Sequence, residues 1–216
     1  MRLLELFSGT GSVGEVFRER GWEVVSLDRD MPADIRRDVM DWGYQEAFDP
    51  GHFDFVWASP LCTEYSKAQT VGARKLEEST AIVQRTLDII RYLSPFAWAL
   101  ENPQTGLLKW QPPMENIPYQ DLDYCKYGMP YRKRTRIWTN LLSFHPHPLC
   151  RHDCPATRAG SNKYDQTVQR GSKGGERNTH RRDELYRVPR ELVEQVLDCL
   201  EMDMHIDGVI NNMISG

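Results

Sequence analysis

The chain has 216 residues, of which 40% are hydrophobic and 27% charged, and its formal net charge at pH 7 is −4. This length accommodates one sizeable α/β domain with a small appendage, and the apolar content fits a globular core. No apolar run approaches the roughly 20 residues that span a bilayer, and the first residues lack a signal-peptide pattern. We therefore expect an intracellular protein, in the cytoplasm or with the nucleoid or nucleus, that is neither secreted nor membrane-bound.

The five cysteines are scattered and odd in number, so reduced thiols are expected rather than a secreted disulfide framework. The charge is uneven, because residues 126–190 contain 15 Lys or Arg against 5 Asp or Glu. That surplus of 10 leaves −14 on the rest of the chain. A basic stretch of this kind is typical of a surface that faces nucleic acid, although a merely solvated basic surface is the alternative.

The chain begins with a pattern typical of nucleoside-binding proteins. A buried strand over 2–6 is followed by a G-x-G-x-x-G turn and a helix predicted over 12–20. The glycines of the turn are Gly9, Gly11 and Gly14. A second strand over 22–27 ends at Asp28, whose carboxylate could accept both hydroxyls of a ribose. The order predicts a nucleoside-containing cofactor, either a dinucleotide or S-adenosylmethionine, although glycine turns without a ligand are common.

One cysteine follows an apolar strand on a turn stiffened by proline. The strand is predicted over 53–58, and Ser59-Pro60 ends it because proline cannot donate to a strand ladder. Cys62 would then lie just past the carboxyl end of a strand, which is the edge where ligands bind in open α/β sheets. A buried structural thiol is the alternative interpretation.

A second strand end repeats this geometry. A polar stretch over 67–75 predicts a mobile loop, and apolar spacing predicts a helix over 76–93. The strand that follows, over 96–100, runs into Glu101-Asn102-Pro103. A carboxylate after a buried strand requires a partner or a purpose, so Glu101 is either functional, part of a structural ion pair, or a helix cap.

An antiparallel hairpin is predicted next, with strands over 119–127 and 135–139. Strand alternation places Arg132, Arg134 and Arg136 on one face. If that face meets the same sheet edge as Cys62 and Glu101, the arginines would bind an anion or a base, whereas solvent-facing arginines would be unremarkable.

Residues 144–182 break the α/β rhythm with Gly, Pro, Arg, Lys and Asn. The Cys and His residues here make a zinc site conceivable, with Cys150, His152 and Cys154 as its ligands. Their spacing matches no common zinc finger and a second ligand pair is missing nearby, so we predict no metal. A helix is predicted from Val188-Pro189 to about Met202, followed by a dozen frayed residues.

Four motifs occur together, in the order and approximate spacing of the cytosine-C5 methyltransferases. They are Phe7-Ser8-Gly9-Thr10-Gly11, Ser59-Pro60-Leu61-Cys62, Glu101-Asn102-Pro103 and Arg132-x-Arg134-x-Arg136. The chain resembles a compact, phage- or virus-sized member of that family, well over residues 1–142 and more loosely over the last helix. The resemblance implies a Rossmann-like, S-adenosylmethionine-dependent fold: a mostly parallel seven-stranded sheet with an antiparallel hairpin and a small irregular basic segment.

The resemblance also implies a division of the chain and of its chemistry. Residues 1–142 would be catalytic, 143–187 a short basic target-recognition segment, and 188–216 a helix packing back on the catalytic part. Cys62 would add to carbon 6 of a cytosine flipped out of duplex DNA. Glu101 would bind N3 and the exocyclic amine.

The remaining roles implied by the resemblance concern the arginines and the cofactor. Arg134 and Arg136 would lie near the base O2 and the loop that carries the nucleophile. Asp28 would bind the ribose of S-adenosylmethionine and Asp38 its adenine. The implied cofactor pocket comprises Phe7, Ser8, Gly9, Thr10, Gly11, Asp28, Asp38 and Pro60.

The sequence departs from the family pattern at several positions. Leu61 replaces a proline, Glu64 and Arg132 each replace a glutamine, Pro103 replaces a valine, and no Gly-Asn pair precedes Val188. A Glu64 carboxylate beside the nucleophile would raise the thiol pKa. The alternatives are an RNA (tRNA) cytosine-C5 methyltransferase, a catalytically inactive nucleic-acid-binding relative, or a nicotinamide-dependent oxidoreductase. In each case a monomer is expected.

Overall fold

A computed structural model describes residues 1–65, 75–157, 163–164 and 185–215. Its strands are β1 (Arg2–Leu6), β2 (Glu23–Asp28), β3 (Ile35–Arg36), β4 (Phe55–Ala58), β5 (Ala97–Pro103), β6 (Tyr119–Asp123) and β7 (Arg134–Thr139). Its α-helices are α1 (Ser12–Glu19), α2 (Tyr44–Ala47), α3 (Leu76–Leu93) and α4 (Arg190–Ser215). Single 3-10 turns occur at Leu108–Trp110, Pro112–Met114 and Tyr124–Tyr127.

Within the described residues the strands form one seven-stranded sheet in the order β3-β2-β1-β4-β5-β7-β6. The five strands from β3 to β5 are parallel neighbours, and β7 runs antiparallel to both β5 and β6. The predicted fold class is therefore confirmed. Because β1, β2, β4 and β5 are parallel, the turns after them meet at one edge of the sheet, where ligands bind in such folds.

Helices cover both faces of the sheet. On one face α1 and α4 pack against Leu3, Phe55 and Trp57 through a cluster that includes Phe17 and Leu192. On the other face α3 covers Leu4, Val56 and Leu100. Burial on both faces explains why β4 is apolar along its whole length, as its sequence indicated. None of the described helices is long and apolar enough to cross a bilayer.

Three predicted boundaries were wrong in instructive ways. The strand predicted over 96–100 continues through Pro103, because β7 pairs with it as far as that residue. The strand predicted over 119–127 ends at Asp123 and becomes a 3-10 turn, closed by Gly128 at φ 80°. The last helix does not fray after Met202 but continues to Ser215. The loop predicted over 67–75 lies outside the described residues except for Lys75.

Glu5 is a carboxylate buried under α1, with 2% of its surface exposed. Its Oε2 accepts a hydrogen bond from the Gly14 N–H at 3.1 Å, and a Cβ at position 14 would lie 2.5 Å from that oxygen. The third glycine of the turn therefore lets the helix approach the sheet. Burial raises the pKa of Glu5 to about 7, although the Gly14 N–H and the Arg18 charge lower it.

Replacing Glu5 by Gln should change how stability depends on pH. Because the pKa of Glu5 is raised from 4.5 to about 7 on folding, the folded protein binds this proton more tightly. The wild type should therefore lose stability as the pH rises through that interval, by up to about 3 kcal/mol relative to Glu5→Gln. Urea unfolding at stepped pH measures the difference, with Glu23→Gln, an exposed carboxylate on β2, as the control. Parallel pH profiles for wild type and Glu5→Gln would contradict the assignment.

Candidate active site

The turn after β1 directs backbone amides to the carboxyl edge of the sheet. Phe7, Gly9 and Gly11 have positive φ angles of 58°, 52° and 71°. Glycine adopts these angles freely, whereas a phenylalanine there is strained, as residues at ligand-binding turns often are. The Gly11 N–H donates to the Ser8 carbonyl at 2.7 Å and closes the turn ahead of α1.

A polar cleft of about 540 Å³ opens beside this turn. It is lined by Glu5, Ser8, Gly9, Thr10, Gly11, Arg18, Ser26, Met31, Pro32, Ala33 and Asp34. The Ser8 hydroxyl is buried and has no hydrogen-bond partner among the described residues. Leaving such a group unpaired costs about 1–3 kcal/mol, which a hydrogen-bonding ligand would recover. The turn therefore suits a polar, nucleoside-containing cofactor.

Asp28 fixes the glycine turn to the end of β2. Its Oδ2 accepts the Gly9 N–H at 2.9 Å. Its Oδ1 accepts the N–H groups of Asp30 at 2.8 Å and Met31 at 2.9 Å. A carboxylate has about four acceptor sites, so these three contacts leave one, on Oδ2, for a ribose hydroxyl. The predicted ribose role of Asp28 stays a prediction.

Asp38 lies in the loop after β3 and is held on two sides. Its Oδ1 accepts the Met40 N–H at 2.9 Å, and its Oδ2 lies 3.2 Å from Nη1 of Arg29. Arg29 directly follows Asp28, so the two predicted cofactor carboxylates are linked through one residue. The adenine contact predicted for Asp38 likewise stays a prediction.

Cys62 lies past the carboxyl end of β4, as predicted, and its side chain is partly buried. The Tyr65 N–H donates to the Cys62 carbonyl at 3.1 Å, which tightens the turn. The Asn102 Nδ2 donates to the Pro60 carbonyl at 2.9 Å in a buried position. The turn is therefore held both by a bond within itself and by the neighbouring strand β5.

Glu101 lies on β5 and is 6% exposed. Its Oε1 accepts the hydroxyl hydrogen of Tyr124 at 2.9 Å and lies 3.5 Å from Nζ of Lys133. Tyr124 and Lys133, both from the hairpin, are thus the partners that the buried Glu101 carboxylate requires. Lys133 also lies over the Tyr124 ring, at 4.7 Å from its centroid.

The charges of Glu101 and Lys133 both act on the Cys62 thiol. Burial raises the pKa of Cys62 above its ordinary value, the Lys133 charge lowers it, and the Glu101 charge raises it. The predicted rise of the thiol pKa is therefore present, with burial as its largest cause. Glu64, to which the sequence attributed the rise, instead accepts the Lys75 N–H at 2.8 Å.

Arg134 and Arg136 lie on one face of β7, as predicted, and Arg132 precedes the strand, but the partners of all three are aspartates of β6. Arg134 Nη2 lies 2.8 Å from Oδ2 of Asp123, and Arg136 Nε lies 2.7 Å from Oδ1 of Asp121. Arg132 also binds Asp123, at 3.1 Å.

The strand register shows that the arginines do not lie beside Glu101, where a clamp would need them. Glu101 pairs with Ile137, whereas Asn102 pairs with Arg136, so the arginine row shares a face with Asn102. The cation that reaches Glu101 is Lys133. Arg136 remains on the face from which Asn102 holds the Pro60 carbonyl of the nucleophile turn. Sequence reasoning missed Lys133 and Tyr124, since only the register reveals which face they share.

One known protein is similar in sequence to this chain over nearly its whole length. No family model matches the chain. It is 33% identical over 217 residues to the "Probable DNA (cytosine-5)-methyltransferase" of Frog virus 3 (isolate Goorha), covering 92% of this chain and 99% of the viral protein.

Two solved structures align over shorter stretches, each at 15% identity. One is a candidate DNA modification methyltransferase encoded within an E. coli prophage, with TM-score 0.49, covering 64% of this chain and 46% of that chain. The other is the S. pombe Dnmt2 methyltransferase, with TM-score 0.47, covering 68% and 52%. The chain spans about half the length of these two structures.

Asn102→Ala should loosen the turn that carries Cys62. It removes the buried bond to the Pro60 carbonyl and leaves that acceptor unpaired, which should destabilise the fold by about 1–3 kcal/mol. Alkylation of Cys62 by iodoacetamide, followed by mass spectrometry, should become faster. Asn140→Ala removes comparable bonds to Trp98 and Phe96 at the other end of β5 and should leave Cys62 alkylation unchanged. If Cys62 is alkylated at the same rate in both variants, the Asn102 bond to Pro60 does not restrain the turn.

Proposed function

The chain belongs to the DNA cytosine-5-methyltransferase family, and from that premise we propose that it transfers a methyl group from S-adenosylmethionine to carbon 5 of cytosine in DNA. The observation that carries the proposal is the meeting of Cys62, Glu101 and Lys133 at the sheet edge next to the glycine turn. A thiol, a carboxylate and a cation from three distant parts of the chain are the groups that this reaction needs around one base.

Cys62 is the proposed nucleophile. Carbon 5 of cytosine is a poor nucleophile, but addition of the thiolate to carbon 6 shifts electron density onto carbon 5. Carbon 5 could then take the methyl group that S-adenosylmethionine would supply, and the cofactor would leave as the thioether S-adenosylhomocysteine. Loss of the carbon 5 proton and departure of the Cys62 thiolate restore the aromatic ring.

Glu101 is proposed to bind N3 and the exocyclic amine of the base. Thiolate addition places negative charge on the ring, so N3 would take a proton that it shares with the Glu101 carboxyl group, while the exocyclic amine donates to the same group. Tyr124 and Lys133 hold the carboxylate in position. Lys133 also favours the thiolate form of Cys62, so one lysine serves both groups.

Arg134 and Arg136 are proposed to act at the base O2 and at the turn carrying Cys62. Their guanidinium groups are anchored by Asp123 and Asp121, which fixes their direction before any substrate arrives. Arg136 is further held over the Tyr119 ring, at 3.4 Å from its centroid. This anchoring favours a positioning role over a mobile one.

S-adenosylmethionine would supply an activated methyl group when bound. The orphaned Ser8 hydroxyl, the left-handed backbone of the glycine turn and the Asp28 carboxylate fit such a nucleoside cofactor. Residues proposed to hold it are Phe7, Ser8, Gly9, Thr10, Gly11, Asp28, Asp38 and Pro60.

The proposed substrate requires that a cytosine leave the base stack, which costs a few kcal/mol. The basic stretch over 126–190 would offset part of this by binding phosphates. The division into catalytic residues 1–142, a recognition segment over 143–187 and a closing helix belongs to the same proposal, as does a monomer that acts inside the cell.

A mechanism-based trap tests the proposal. DNA containing 5-fluorocytosine, incubated with S-adenosylmethionine, should form a denaturation-resistant adduct with the wild type, because fluorine cannot leave as a proton does. Cys62→Ser should form no adduct. Cys199→Ser, which removes the other partly buried cysteine, should form as much adduct as the wild type. If no nucleic acid is trapped the catalytic assignment is wrong, and trapping of tRNA without DNA would favour the RNA alternative.

Lys133→Met should move the pH profile of adduct formation to higher pH. Removing the lysine charge leaves burial and Glu101 to raise the pKa of Cys62 further, so less thiolate is present at a given pH. Adduct formation near pH 7 should therefore slow several-fold, and the rate should recover at higher pH, where the thiolate forms again. Lys126→Met, which removes a lysine paired with Asp153, is the control. A rate lowered equally at every pH would mean that Lys133 has only a structural role.

A further inference from the structure

Three of the five cysteines lie close together beside the turn that follows β6. Cys125 lies in the 3-10 turn after β6, and Cys150 and Cys154 lie in the segment after β7. All three are buried, and their sulfur atoms lie within 4.8 Å of one another. The proposed methyl transfer uses none of them.

We propose that these three thiolates bind a structural zinc ion, with His152 as the fourth ligand. Zinc is held in proteins by four Cys or His ligands arranged as a tetrahedron, with Zn–S distances of about 2.3 Å, which places sulfur atoms about 3.8 Å apart. The cluster therefore needs only a small contraction. This reverses the sequence-based prediction, which lacked Cys125 because that residue lies far upstream.

Hydrogen bonds around the cluster suit thiolates. The backbone N–H groups of His152 and Asp153 donate to the Cys150 sulfur, and the Tyr164 hydroxyl donates to it at 3.4 Å. Donors directed at a metal-bound sulfur orient it and stabilise its negative charge.

His152 is the candidate for the fourth position. Its Nδ1 is buried and has no hydrogen-bond partner in the part of the chain that the structure describes. The imidazole lies beside the Tyr164 ring, with 5.0 Å between the ring centroids. It is not among the groups that lie within 4.8 Å of one another, which are the three cysteine sulfurs. A rotation of this side chain onto the metal would give the orphaned nitrogen a partner.

The zinc site would brace the arginine row. The Cys150 N–H donates to Oδ2 of Asp123 at 3.0 Å, and the same carboxylate binds Arg132 and Arg134. Asp123 is fully buried, so its position depends on these partners. Fixing Cys150 and Cys125 to one ion would hold both the carboxylate and the arginines that it orients.

Metal content and thiol chemistry of the full chain test the site. The protein purified under reducing conditions should contain about one zinc per chain, and replacing zinc by Co²⁺ should give an intense thiolate-to-metal absorption band. Each of Cys125→Ser, Cys150→Ser and Cys154→Ser should lose both. Cys199→Ser and Cys62→Ser should keep both. His152→Ala should weaken the band and lower metal content, and unchanged values would remove His152 from the ligand set.

Chelation of the wild type avoids variants that fail to fold. Removing the metal should lower the melting temperature and speed alkylation of Cys125, Cys150 and Cys154, while Cys199 reacts as before. Five reactive thiols in denaturant with no metal and no Co²⁺ band would overturn the proposal. So would three reactive thiols, which would indicate a disulfide within the cluster.

Discussion

The hydrogen bond from the Asn102 side chain to the Pro60 carbonyl joins the two strand ends on which the site depends. β4 delivers Cys62 and β5 delivers Glu101, and parallel pairing brings both to one edge of the sheet. Pro60 cannot donate to a ladder, so the turn after β4 needs bonds other than those of the parallel strands. The buried side-chain bond from β5 ties this turn directly to the strand that carries the carboxylate.

Fixing a thiol beside a carboxylate in a poorly solvated place makes the thiolate harder to form, and Lys133 opposes that effect. Burial and Glu101 both raise the pKa of Cys62, while the lysine lowers it. The lysine charge therefore offsets part of the cost of forming the thiolate. If a base binds Glu101 as proposed, the new partner would satisfy part of the negative charge of that carboxylate. The positive charge of Lys133 would then act more strongly on the Cys62 thiolate.

Sequence reasoning recovered the fold because its signals were local. Alternating or continuous apolar strands, the three glycines of the first turn, and the spacing of α3 each depend on neighbours in the chain. The α3 boundaries, Leu76–Leu93, match their prediction. The missed features are non-local. β5 runs past Leu100 because β7 pairs with it, and Lys133 faces Glu101 because Ile137, four residues later, is the direct partner of that carboxylate. A one-residue change of register would have placed the arginines there instead.

The aspartates of β6 explain how three arginines can be held so close together on one strand. Asp123 and Asp121 lie directly opposite Arg134 and Arg136 in the hairpin register, so each guanidinium meets a carboxylate across the ladder. Arg136 is 8% exposed, and a guanidinium so buried would be costly without such a partner. The pairing also leaves the hairpin with a specific geometry, since arginine and carboxylate bond through two parallel contacts at each site. A hairpin fixed in this way presents Lys133 on the face opposite the arginines, where it contacts Glu101. The paired arginines therefore also act on Glu101 indirectly, because they fix the hairpin that carries Lys133.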